Sequence, residues 1–161
     1  MVDGAHGYWV VIASLMAAMV LAVLPLPHWM GWLRPEWVAL VLVYWCIALP
    51  QRVGVVVAVF AGLAMDLLEG ARLGQNIFAL AVVSLLSVAL YERLRLYSLW
   101  QQGGVVFALV GLHQLICQWV QNLEGVGARA LLFLLPALTS ALMWPLVLHT
   151  LRALRRYFQV A

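Results

Sequence analysis

The chain has 161 residues, 66% hydrophobic and 9% charged, where an ordinary globular domain carries about 25% charge. Nine arginines, no lysine and six acidic residues cannot coat a 17.9 kDa globule in water, which excludes an ordinary soluble fold and makes the bilayer the expected solvent. The net charge of +3 comes from scattered arginines and points to topology and anionic lipids, with no nucleic-acid partner.

Apolar runs broken by Arg, Pro, Gly and acidic residues predict an all-α integral membrane protein. It reads as one domain, 1–161, with six transmembrane helices at about 8–26, 36–49, 53–68, 73–91, 103–122 and 128–151. The first run has no basic residue before it and is too long for a cleavable leader, so it is expected to stay as a helix. The second and third are 14 and 16 residues long, short of the roughly 20 that cross hydrocarbon. A re-entrant pair is one solution, but the polar corner Pro50, Gln51 and Arg52 favours two crossings.

Within the third span Gly54, Ala58, Gly62, Asp66 and Gly70 recur every four residues and share one helix ridge. Small residues at that spacing let another helix approach closely, whether from within the bundle or from a partner. Asp66 interrupts the ridge 14 residues after Arg52, roughly 21 Å along a helix. An acid at that depth must face protein or water. It reads as a structural or partner-binding group, protonated or paired with Arg72 or Arg34, with a proton or ligand role as the alternative.

The fifth span carries Gln114, Gln118 and Gln121 on one polar face, beside His113 and Cys117. These glutamines are expected to point inward and bond neighbouring helices, or to line a site for a polar solute. In the sixth span Pro136 and Pro145 should bend the helix, with Thr139 and Ser140 bonding freed carbonyls. Beyond it a basic, aromatic tail suits anionic headgroups. The loop 92–102 mixes Arg93 and Arg95 with Trp100 and suits the interface or a cytoplasmic protein.

Six crossings place Arg52, Arg93, Arg95, Arg152, Arg155 and Arg156 on one face, against Arg34, Arg72 and Arg129 on the other. The positive-inside bias then puts both termini in the cytoplasm, with Glu36, Glu69 and Glu124 outside.

Catalytic and metal chemistry lack their constellations. His113 and Cys117 are two ligands where zinc takes three or four. Asp66 has no second intramembrane Asp for an aspartyl dyad, and Ser84 and Ser87 lie in no Gly-x-Ser-x-Gly elbow. Without lysine there is neither a Schiff base nor a P-loop. No enzyme, metal or cofactor is expected. Cys46 and Cys117 both lie in apolar runs, so no disulfide framework is expected either.

Several stretches together resemble the bacterial rod shape-determining membrane protein family MreD: Arg34-Pro35-Glu36-Trp37, Tyr44-Trp45 and Ala48-Leu49-Pro50-Gln51-Arg52-Val53. Further along come Gly62, Asp66-Leu67, Gly70 and Leu73-Gly74, then Leu99-Trp100-Gln101-Gln102, Leu142-Met143-Trp144-Pro145 and Arg155-Arg156-Tyr157-Phe158. The resemblance implies a six-helix, multi-pass inner-membrane scaffold of the cell-elongation and peptidoglycan machinery. It implies MreC as direct partner, with RodA, its transpeptidase and MreB in the wider complex. The family also resembles in fold the membrane substrate-binding subunits of energy-coupling vitamin transporters, which keeps a solute or lipid-intermediate binder as the alternative. Gln75 and Asn76 fall outside these motifs.

Overall fold

The computed structural model describes residues 7–25, 27, 34–70, 72–123, 125 and 135–158. Among them lie seven α-helices: α1 (Tyr8–Val23), α2 (Trp37–Ala48), α3 (Val55–Glu69), α4 (Gln75–Ala89), α5 (Tyr91–Leu96), α6 (Leu99–Leu123) and α7 (Leu135–Tyr157). Six of these overlap the predicted spans, and α5 is an additional short helix that starts at the last residue of the fourth predicted span and runs into the predicted 92–102 loop. The helix α6 starts at Leu99 and α7 runs on to Tyr157, both past their apolar runs. Gln and Arg are good helix formers, so the backbone ladder continues where hydrophobicity stops. Leu26, Glu124, Arg129 and the stretch 128–134 of the sixth predicted span lie outside the described residues.

By length and composition α6 and α7 are able to cross a membrane. The others are shorter, and α2, with 12 residues, is only about 18 Å long. That short helix is the centre of the bundle. Ten of its twelve residues are buried, including Trp45 and Leu42, and it packs against α1, α4, α5, α6 and α7. A helix with apolar residues all round has no face to give to water, so its neighbours enclose it. Around it α3 pairs with α4, α4 with α6, and α6 with α7. The outer surface is itself apolar: Val56 (70% exposed), Phe60 (68%) and Leu142 (73%) point outward, a surface suited to lipid.

Contacts sort the chain into two ends. At one, the Arg52 guanidinium lies 5.9 Å from the centre of the Tyr8 ring, Trp9 meets Phe158 edge-on at 4.7 Å, and Tyr44 engages Arg155. At the same end Arg95 donates to the carbonyls of Ile47 and Ala48 at 3.1 Å each. The start of α1, the Arg52 corner, α5 and the end of α7 are thereby gathered together. At the other end the Arg34 guanidinium donates to the carbonyls of Ala22 and Leu24, at the close of α1.

Two fully buried indoles tie the interior. Trp45 Nε1 donates to Ser14 Oγ at 2.8 Å, and Trp144 Nε1 to Gln102 Oε1 at 3.2 Å. Gln102 in turn donates to the Leu94 carbonyl at 2.8 Å, which fastens α5 beneath α6. Pro145 sits inside α7, whereas Pro136 is the second residue of the described helix. Thr139 donates to the Leu135 carbonyl at 2.9 Å. Ser140 has a different partner from the one expected, since its Oγ accepts the Glu36 backbone N–H at 2.9 Å.

Candidate functional site

The third-span ridge reaches the interior along most of its length. Ala58, Gly62 and Asp66 are buried. A Cβ built on Gly62 would stand 2.5 Å from Ile77 Cα and 2.7 Å from the Asn76 carbonyl oxygen, so only glycine allows α3 to lie this close to α4. The same Cβ on Gly54 has nothing within 4 Å. Gly62 thus packs against the backbone at the start of α4.

Asp66 has a defined place one turn further on. Gly74 N–H donates to its Oδ2 and Asn76 N–H to its Oδ1, each at 2.9 Å. A helix begins with backbone donors that have no partner inside it, and its dipole favours negative charge there. The carboxylate on α3 therefore caps α4 from outside. Gly70 ends α3 with φ +65°, and Gly74 precedes α4 with φ +105°. These left-handed backbones suit glycine, and they turn the chain tightly enough for residue 74 to face residue 66.

Asn76 is the hub of what surrounds this cap. Its side-chain amide donates to Glu69 Oε2 at 3.1 Å, and its oxygen receives the Cys117 thiol at 3.9 Å. On α6, Gln114 Nε2 donates to Glu36 Oε1, so the face that holds Cys117 also reaches the start of α2. His113, 4% exposed, lies one helical turn from Cys117 and within electrostatic range of Glu69. Its Nδ1 has no hydrogen-bond partner. Two sets of polar contacts, one joining α2, α6 and α7 through Glu36, Gln114 and Ser140 and one joining α3, α4 and α6 through Asp66, Asn76 and Cys117, thus share α6 away from the arginine-rich end.

The predicted site residues fall into groups. Asp66 and Gly74 meet directly, and Gln114 bonds Glu36. Gln118 is buried and donates to Asn122 Oδ1 on its own helix at 3.4 Å, while Gln121 is half-buried. Arg34 caps the end of α1, Pro35 and Trp37 lead into α2, and Pro50 and Arg52 form the opposite corner. Arg93, Trp100, Arg152 and Arg156 are exposed, whereas Arg95 and Arg155 are held by α2. Among the described residues no three or more His, Cys, Asp or Glu groups are placed to hold one metal ion. Sequence reading passed over Asn76, because amides at a span's edge carry no motif. The available signal was its position two residues past Gly74, at the start of a helix facing an acid.

A bundle of apolar helices with a lipid-suited exterior, a buried carboxylate that caps the neighbouring helix and amide-acid contacts at one end is an all-helical membrane protein. The family described as rod shape-determining protein MreD matches residues 4–154. A rod shape-determining protein MreD from Haemophilus influenzae is 30% identical over 149 residues, covering 92% of each chain. The chain belongs to the MreD family and has a role in rod shape determination. No solved structure matches it.

Proposed function

We propose that the protein is a non-enzymatic scaffold of the bacterial inner membrane that crosses the bilayer six times, with both termini in the cytoplasm. In this reading it binds MreC and so helps to position the wall-synthesis enzymes, with RodA, its transpeptidase and MreB in the wider assembly. The observation that carries it is the family match over residues 4–154, which takes in α1 to α6 and most of α7: this bundle is what the chain shares with the family. The gathering of Tyr8, Arg52, Arg95 and Arg155 at one end supports a cytoplasmic face there. Arg93, Trp100, Arg152 and Arg156, exposed at or beside that end, are the proposed contacts for cytoplasmic partners and anionic lipids.

The test is expression in a rod-shaped bacterium from which its own family member has been removed. Rods should return, and an MreC-like protein should co-purify with the tagged chain in mild detergent. The double variant Trp100→Ala/Arg93→Ala should fold normally yet recover fewer cytoplasmic partners. Restored rods with no MreC-like protein retained would refute the scaffold reading.

A further inference from the structure

We infer that the cleft between α1 and α3 is a binding site for an anionic phospholipid, with one acyl chain in the cleft and the phosphate at Arg52. The lipid contacts proposed above lie at Arg93, Trp100, Arg152 and Arg156. This is a different surface, and it needs only that the bundle lies in a bilayer.

The cleft follows from how α1 packs. That helix lies chiefly on α2 and meets α3 only lightly, which leaves a cavity of about 310 Å³ between them. Tyr8, Leu15, Met16 and Met19 of α1 line one wall, and Val57 and Phe60 of α3 the other. Every lining side chain is apolar save for the Tyr8 hydroxyl, so the cleft suits hydrocarbon and not a polar solute. Methionine is unbranched and adapts to an irregular or mobile occupant. Tyr8 and Met19 are 11 residues apart, roughly 16 Å along a helix. That is about half of a ~30 Å hydrocarbon layer, the depth reached by a chain from one leaflet. A transmembrane helix about 10 Å across takes up on the order of 1,000 Å³ over the same length, so it would ride over the cleft and leave it unfilled.

A positive charge stands at one end of the cleft. The Arg52 guanidinium lies 5.9 Å from the centre of the Tyr8 ring, so the cation sits over a residue of the cleft's own wall. Arg52 is half-buried, in the corner between α2 and α3. The described acids bond elsewhere: Glu36 to Gln114, Asp66 to the start of α4, Glu69 to Asn76 and Glu92 to Tyr91. A planar guanidinium matches two oxygens of a phosphate. Arg95, bound to the end of α2, adds positive charge at the same end. That field favours a headgroup of net negative charge over a zwitterionic one, whose ammonium it repels.

The test uses the full chain in mild detergent, mixed with equal amounts of phosphatidylglycerol and phosphatidylethanolamine of identical chains. Native mass spectrometry counts the lipids retained. One phosphatidylglycerol per chain, preferred over phosphatidylethanolamine, is expected. Arg52→Gln should cut that preference about fivefold, the scale of one arginine beside an anionic headgroup, and Arg52→Lys should keep most of it. Arg152→Ala/Arg156→Ala should cut it less than Arg52→Gln does. Val57→Trp, which fills the cleft, should lower retention of both lipids. The Arg52 variants carry the test even if Val57→Trp fails to fold, because residue 52 lies outside the helices. A photocrosslinking residue at position 57 should give a lipid adduct in cell membranes. Equal retention of the two lipids, an undiminished preference in Arg52→Gln, or a greater loss in Arg152→Ala/Arg156→Ala would overturn the assignment. So would a protein adduct from position 57 in place of lipid, which would give the cleft to a partner's helix. None of these readouts depends on rod shape, so the scaffold reading is tested apart from them.

Discussion

The backbone N–H of Asn76 donates to the Asp66 carboxylate at 2.9 Å, joining α4 to α3 ten residues earlier in the chain. A buried acid thereby works as a helix cap supplied by the neighbouring helix. Its two oxygens accept from two backbone N–H groups at the start of α4.

Removing that acceptor should loosen the hairpin. Asp66→Ala leaves two backbone donors without a partner, at about 1–3 kcal/mol for each buried group left unsatisfied. Asp66→Asn keeps one acceptor oxygen and should fall between the two. Thermal unfolding in detergent should rank the native protein first, then Asp66→Asn, then Asp66→Ala. An alanine variant as heat-stable as the native protein would show that α4 does without the cap.

Gly62→Ala tests the close approach of the same two helices. Its new Cβ would collide with backbone atoms of residues 76 and 77, which cannot rotate away, so a loss of about 1–3 kcal/mol is expected from overpacking. Gly54→Ala, with open space at its Cβ, is the internal control and should change little. Equal melting curves for the two variants would contradict the described packing.

Ser14→Ala strands the indole N–H of Trp45, a residue 0% exposed. Trp45→Phe removes the donor together with some volume. A double-mutant cycle should find the pair coupled by about 1 kcal/mol, as for a typical net hydrogen bond. Strict additivity would mean that the bond contributes nothing.

Arg95→Lys should weaken the attachment of α5 to the end of α2, because one ammonium cannot reproduce two guanidinium bonds to adjacent carbonyls. The side chain is exposed, so the expected loss is under about 1 kcal/mol. Hydrogen exchange at residues 91–96 is the sensitive readout. Unchanged protection there, or an equal effect from Arg93→Ala, would argue against the clamp.

Composition and apolar periodicity determined the membrane class, the approximate place of each long helix and the four-residue ridge on the third, since each depends on what neighbouring residues along the chain can bury. The family was legible too, because its short motifs keep their order. The helix α5 was not, since six residues mixing Arg with Leu read equally well as a loop. The central place of α2 and the alliance of Asp66 with Asn76 and of Gln114 with Glu36 were settled only in three dimensions. Periodicity tells which face of a helix avoids water, but in lipid almost every face does. The partner of each polar atom then depends on which helices lie side by side, and close approach at glycine and unpaired backbone donors decide that.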